Sequence, residues 1–425
     1  MRRTSWGTIG VAALLLVWAL GCERPETPPP ASRMELQELE SPAGPGSGEP
    51  SVTLGPDGRV LLTWIEPAGD KRNVLRYASR TTGAGWSPAQ TIAEGTNWFV
   101  NWADFPSMAM LPDGTLYAHW LAKSGSSSYA YDVRVAISRD AGKTWSDSVV
   151  PHRDGTRTEH GFVSMTAWAP EQMGLVWLDG RKTAGGATHP GQGQTQAETS
   201  LMHSTIGRAG ELGVETVLDG RVCDCCQTDS VRAEGATVVV YRDRSDKEVR
   251  DMSVVRFAEG RWSEPRPLAH DGWQIDGCPV NGPAIAASGA KVAVAWFAAA
   301  NEKPVVKAVF SADSGATFGA PIVVDEGRPL GRVDVVLLDD GAALVSWLDQ
   351  GEKSARLRVR RIPESGAPGE PLTVAESSGA RSSGFPRLVK AGSEVVIAWR
   401  DAADPPKVRT AALLFFAMTS DSRGR

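Results

Sequence analysis

Phe105-Pro106-Ser107-Met108-Ala109-Met110-Leu111-Pro112-Asp113-Gly114-Thr115-Leu116-Tyr117-Ala118-His119-Trp120 is the stretch that decides the fold. Residues 105–111 form an apolar run suited to an inner strand. Pro112-Asp113-Gly114 is a turn whose glycine tolerates positive φ, and residues 115–120 return as a second strand ending in an aromatic. Residues 133–137 continue as a third strand. The same short β-rich run with a terminal aromatic recurs at Trp64, Trp120, Trp177, Tyr241, Trp296, Trp347 and Trp399. A turn glycine precedes the aromatic in six of these repeats: Gly58, Gly114, Gly235, Gly289, Gly341 and Gly392. A near-constant period built from short strands and turns marks radially repeated sheets, because one such unit cannot bury both of its faces alone. The expectation is an all-β propeller of seven antiparallel blades over residues 49–416.

The seventh repeat lacks an outer strand before the chain ends. Residues 34–39 are the segment that could fill it, closing the ring and removing an exposed edge. Around them, residues 23–48 are rich in Pro, Gly, Ser and Glu and read as a flexible tether. Residues 417–425 read as a disordered tail. The formal net charge is −5, and −7 once Arg2 and Arg3 are removed with the leader described below. Nothing in that balance suits a nucleic-acid partner.

Ser138-Arg139-Asp140-Ala141-Gly142-Lys143-Thr144-Trp145 follows the third strand of the second repeat. It resembles the Asp-box of the sialidase and BNR-repeat superfamily, S-x-D-x-G-x-T-W, at every defined position. Ser311-Ala312-Asp313-Ser314-Gly315-Ala316-Thr317-Phe318 is a second copy. Ser79, Gly83 and Trp86, with Thr81 in place of Asp, are a worn one, and Gly260-Arg261-Trp262-Ser263 a fragment. Ser138, Asp140, Gly142 and Trp145, with Ser311, Asp313, Gly315 and Phe318, are read as structural, the polar side chains bonding turn amides. Sialidases resembling this chain have six blades, so six blades plus an irregular cap is the alternative.

The resemblance implies a sialidase-like glycoside hydrolase if the chain is an enzyme. It would need an arginine triad, a late Tyr–Glu nucleophile pair, an Asp acid/base and an Arg-Ile-Pro motif in the first blade. The first blade has no such motif, and no tyrosine follows Tyr241. The reading is therefore an exported propeller that binds a glycan or other anionic small ligand at its channel face without that chemistry, with the hydrolase as the alternative.

In a propeller the start of each inner strand and the loop after each second strand meet at one face beside the channel. Those places carry Asp104, Asp229 and Asp243 as candidate acid–base groups. They also carry Arg181, Arg244, Arg387 and Arg400 as a candidate clamp for a carboxylate or sulfate. The competing role for such residues is bridging neighbouring blades. Cys223, Cys225, Cys226 and Cys278 converge on the same face. In an oxidising compartment they imply two disulfides and no cofactor. The alternative is a copper or zinc site with His160 as an extra ligand.

Residues 1–22 read as a targeting segment: Arg2 and Arg3, an apolar run over residues 9–20, then Ala19-Leu20-Gly21-Cys22. This resembles a bacterial lipoprotein signal. It implies lipidation of Cys22, anchoring in a lipid bilayer at the cell envelope and, with Glu23 next, the outer membrane rather than the inner. A monomer is expected.

Overall fold

The computed structural model describes Met1, residues 32–184 and residues 198–417. Expectations about Cys22, the leader and residues 418–425 lie outside them. The described chain is a seven-bladed β-propeller of antiparallel sheets, with no α-helix among the described residues.

Blade 1 comprises Gly48–Leu54, Val60–Pro67, Asn73–Arg80 and Gln90–Gly95 from inside out. Blade 2 has Ser107–Met110, Leu116–Lys123 and Tyr131–Ser138, its fourth position marked only by a Val135–Val149 bridge. Blade 3 has His160–Ala169, Gln172–Asp179, Thr199–Gly207 and Thr216–Val222. Blade 4 has Asp229–Ala233, Ala236–Arg242 and Met252–Ala258, edged by Arg261–Trp262 and Arg266–Pro267. Blade 5 runs from Ala284–Ser288 to Ile322–Asp325, and blade 6 from Pro329–Leu337 to Leu372–Ser377. Blade 7 has Arg387–Ala391, Glu394–Asp401 and Lys407–Ala417, and its outer strand is Ser32–Leu39. The ring is thus seven blades, not six with a cap, and it is closed by pairing Ser32–Leu39 with Lys407–Ala417.

Residues 40–48, assigned to a flexible tether, are instead built into the ring. Ala43 and Ser47 are buried. The Gly46 amide donates to the Pro406 carbonyl (2.7 Å), the Gly44 amide to Glu66 Oε1 (2.8 Å) and the Val408 amide to Ser47 Oγ (2.9 Å). A glycine-rich composition predicts freedom only where backbone groups find no partners, and here they find blades 1 and 7.

The repeated aromatics explain the ring's rigidity. Trp64, Trp177, Trp296 and Trp347 are fully buried, and the apolar clusters straddle neighbouring blades rather than filling single sheets. A buried indole must still satisfy its N–H. Trp64 donates to Glu66 (2.6 Å), Trp177 to Asp179 (2.8 Å) and Trp296 to Asp271 (2.7 Å). Tyr241, in the same register, donates to Asp219 (2.7 Å), so it is a core residue of blade 4. The first hairpin of blade 2 closes on Gly114 at φ 88°, with the Thr115 amide on Asp113 Oδ1.

The two full Asp-box turns share one bonding pattern. Asp140 Oδ1 accepts from Ser138 Oγ (2.8 Å) and the Thr144 amide (2.9 Å), and Ser138 Oγ accepts the Gly142 amide (2.9 Å). Ser311, Asp313, Gly315 and Thr317 repeat these contacts. Each turn also packs onto the preceding blade. The Trp145 ring meets Tyr77 of blade 1 edge-on at 6.1 Å, and a Cβ on Gly142 would lie 1.7 Å from the Tyr77 hydroxyl. In the other copy Arg266 of blade 4 donates to the Gly315 carbonyl (2.6 Å) and lies over the Phe318 ring. These turns join third to fourth strands, at the opposite end of the blades from the inner-strand starts.

Candidate functional site

The channel face is where the inner strands begin. A cavity of about 90 Å³ there is lined by Asp104, Ser164, Asp229, Arg387 and neighbours from blades 1, 2, 3, 4 and 7. Its carboxylates, and Asp334 beside Arg387, are already committed to the fold. Asp104 Oδ1 accepts the Phe162 amide of blade 3 (2.8 Å). Asp229 Oδ2 accepts the Ile285 amide of blade 5 (3.0 Å), and Asp334 Oδ2 the Leu388 amide of blade 7 (2.7 Å). Each Asp therefore ties its inner strand to that of the next blade. Burial raises Asp104 to about 7, against the lowering by the Phe162 amide and the Tyr131 hydroxyl. Burial likewise raises Asp229 to about 6, with Arg387 opposing and Asp334 adding to the rise. Asp243 is not among the cavity's lining residues. It is raised to about 6, first by burial and also by the nearby charge of Asp219, and it accepts the Arg244 amide (2.7 Å).

The four arginines do not form one clamp. Only Arg387 lines the cavity, and its Nε lies 3.2 Å from Asp334 Oδ2. Arg181 is held by Asp179 and Glu215, both at 2.7 Å, and Arg244 by Glu248 at 3.1 Å. Arg400 lies 3.6 Å from Glu49 and donates to the Ser382 carbonyl. The physical reason is desolvation: a guanidinium drawn into a loop between blades requires an internal carboxylate unless a ligand is always present. An Arg361-Ile362-Pro363 tripeptide does occur, but at the end of a blade 6 strand, with Arg361 paired to Asp340.

The cysteines are arranged differently. Residues 223–228 lead into the inner strand of blade 4, and Cys278 lies in the loop leading into blade 5. The sulfurs of Cys223, Cys225 and Cys226 all lie within 4.8 Å of one another, at 3.1 Å for Cys223–Cys226 and 3.8 Å for Cys223–Cys225. Asp224, Cys225 and Cys278 form a second such group, so Cys225 is shared by both. No S–S bond joins any of the four. Burial pushes the Cys223 thiol up to about 11. Cys226 goes the other way: burial opposes its ionisation, but hydrogen bonds from Cys223 and Cys225, the charge of Arg242 and the Asn281 amide hold it well below the usual thiol range.

A rigid frame holds this loop. The Arg242 guanidinium donates to the carbonyls of Asn281, Arg250 and Phe297 and stacks over Trp273 at 4.7 Å. Arg250 is fully buried, with Nη1 at 3.4 Å from Cys223 Sγ and 3.2 Å from Asp224, and Nη2 at 2.8 Å from Glu248. Gln227, just past the cysteines, spans from the Ala103 carbonyl of blade 2 (2.6 Å) to the Gly282 amide of blade 5 (3.0 Å). Gly282 is required there, since a Cβ would lie 2.1 Å from the Gln227 carbonyl oxygen. Glu159 borders the cluster. It accepts a 2.5 Å bond from the buried Tyr131 hydroxyl, and burial raises it well above the usual carboxylate range, with the charges of Asp224, Asp104 and Cys278 adding to the rise.

His160 does not join the cysteines. Its Nε2 faces Asp154 (3.0 Å) and Asp179 (3.8 Å), and its ring stacks on His152 at 3.7 Å. Adjacent residues of an inner strand point to opposite sides, so Glu159 turns to the cysteine cluster and His160 into blade 3. Arg250 and Glu248 were not singled out from the sequence. They lie in the loop that follows Arg242 and Arg244, which returns to the same face, and following that loop to its end would have reached them.

No protein-family model matches the chain, and no curated protein matches it in sequence. Solved structures do resemble it. A protein of unknown function from Dyadobacter fermentans is 14% identical at TM-score 0.49, over 90% of this chain and 98% of that one. The NanB sialidase of Streptococcus pneumoniae (its K499G mutant) is 10% identical at TM-score 0.46, over 84% and 83%. The α-L-arabinanase of Penicillium chrysogenum is 13% identical at TM-score 0.47, over 91% and 99%. At 10–14% identity, these likenesses are of fold.

Proposed function

We propose that this propeller binds a thiophilic metal ion, Cu(I) or Zn(II), at the channel face through Cys223, Cys225 and Cys226, with Asp224 and Cys278 beside them. The observation that carries this reading is the mutual approach of three sulfurs within 4.8 Å on one four-residue turn. Thiolates around one tetrahedral ion, each about 2.3 Å from it, stand about 3.8 Å apart. The Cys223–Cys225 pair has that spacing, and the Cys223–Cys226 pair, at 3.1 Å, would open slightly on binding. Thiolate is also the donor that selects Cu(I) and Zn(II) over harder ions. Arg250, buried against Cys223 and Asp224, supplies the positive charge that a multi-thiolate centre needs away from water.

Binding of a glycan or anion, the expectation from the sequence, has less to draw on. The arginines meant to clamp it have internal carboxylate partners, and two of the three candidate acids accept amides from a neighbouring blade.

The test is a metal titration of the reduced protein with thiol counting. One equivalent of Cu(I) or Zn(II) bound, with three or four thiols protected from alkylation, supports the reading. Unreduced protein with no titratable thiols and no metal would establish two disulfides and sink it.

A further inference from the structure

The four sulfurs differ in access. Cys223 and Cys226 are 0% and 2% exposed, Cys225 is half-buried, and Cys278 is exposed. Cys225 belongs to both groups, with Cys223 and Cys226 on the inner side and Asp224 and Cys278 on the outer. The sulfurs thus form a file from solvent to interior. The loop bearing Cys278 is pinned on both sides. The Ile275 amide donates to the Glu248 carbonyl (3.0 Å), and Asn281 both accepts the Arg332 amide (2.7 Å) and lends its carbonyl to Arg242. Cys278 therefore stands near Cys225 while remaining open to solvent.

We propose that Cys278 is the exchange ligand through which the ion arrives, accepting Cu(I) from a low-molecular-weight thiol complex. This rests on the metal-binding reading above. Cys278 displaces one thiolate of the incoming complex, Cys225 then takes the ion from Cys278, and it settles on Cys223, Cys225 and Cys226. No electrons move. Each protein thiol releases a proton as it binds, each departing donor thiolate takes one up, Cys278 regains its proton when Cys225 takes the ion, and copper remains Cu(I) throughout. An exposed single thiol suits a small donor, because a small complex can reach it without a docking surface. Behind it, Cys223 and Cys226 are buried and Cys225 is half-buried, so a bulky complex has little direct access to the trio and the relay sets the rate.

The experiment loads the reduced protein from a Cu(I)–glutathione complex and follows uptake by stopped-flow absorbance in the thiolate-to-copper region. Cys278→Ser should reach the same final occupancy as wild type, but roughly tenfold or more slowly, the scale on which placing a reacting group in advance alters a rate. Brief iodoacetamide treatment of wild type, which reaches the exposed Cys278 first, should slow uptake likewise and so check the result without a substitution. Equal uptake rates would overturn the exchange role. So would loss of the bound equivalent in Cys278→Ser, which would make Cys278 a retaining ligand. Wild type that takes up no Cu(I) at all would instead bring down the metal site itself.

Discussion

Two clusters of ionisable groups share the channel face, and they treat their lone pairs in opposite ways. Asp104, Asp229 and Asp334 each direct a carboxylate oxygen to a backbone amide of another blade. Cys223, Cys225 and Cys226 direct theirs at one another. Both clusters are buried and both carry shifted pKa values, so neither burial nor a pKa shift separates structure from function here. What separates them is where the contacts go. A polar group satisfied by the next blade is a fastener, whereas the cysteine sulfurs converge on one another, an arrangement that either a metal ion or a disulfide would complete.

The comparison breaks first at the cysteines. Cys225→Ser should weaken Cu(I) binding by roughly a hundredfold or more, since loss of a ligand exceeds the 10–100-fold typical of a changed supporting contact. The melting temperature of the metal-free protein should stay close to wild type, because Cys225 is half-buried and serine fits its volume. Competition with a chromogenic Cu(I) chelator measures the first, calorimetry the second. A large fall in metal-free stability would move the cysteines into the fasteners' class.

Asp334→Ala tests the other side. It orphans the buried Leu388 amide and the Arg387 guanidinium, at a cost of about 3 kcal/mol, and should leave Cu(I) affinity unchanged. Denaturant unfolding reads the first, and the same chelator competition reads the second. A change in affinity of tenfold or more would couple the two clusters.

Asp104→Asn sharpens the point through pH. Asp104 is raised from 3.8 to about 7, chiefly by burial. Between those values the folded protein holds a proton that the unfolded chain has released, so the contribution of Asp104 to stability falls as pH rises. Asparagine can still accept the Phe162 amide, and its own amide can donate to the Tyr131 oxygen. The variant should match wild type near pH 5 and exceed it by roughly 2 kcal/mol near pH 8. A difference independent of pH would mean that Asp104 is ionised in the fold throughout.

The blade count was legible because each repeat must bury one aromatic at one register, and sequence spacing records register directly. The ring closure was legible because an unpaired edge is costly and only one spare strand lay near the N-terminus. The packing of residues 40–48 was not, since nothing in Ser41-Pro42-Ala43-Gly44-Pro45-Gly46 announces acceptors supplied by Glu66 and Pro406 far along the chain. The cysteine convergence followed from topology, as both segments precede inner strands of adjacent blades. The roles of Asp104 and the arginines did not, because bridging and catalysis require the same residue types at the same places. His160 was misassigned through the alternation of a strand, one residue being enough to turn a side chain away from the site.

The smallest effect is expected at the opposite face. Asp140 is half-buried, and it accepts from the Thr144 hydroxyl (2.6 Å), the Thr144 amide and Ser138, which together lower its pKa from 3.8 to about 2. A depressed carboxylate contributes stability that is present above its unfolded pKa and lost as pH falls through its folded one. Asp140→Ala should therefore lower the melting temperature by a few degrees at neutral pH. That difference should shrink as pH drops from about 4 towards 2, where wild type loses the same bonds. Cu(I) binding should be untouched, because the turn contacts Tyr77 and its own blade rather than the channel face. Asp313→Ala should behave alike, since Thr317 and Ser311 hold Asp313 in the same way. If either variant altered uptake at the cysteines, the two ends of the blades would be coupled through the inner strands, and the division between fastener and site would have to be redrawn along strands instead of across faces.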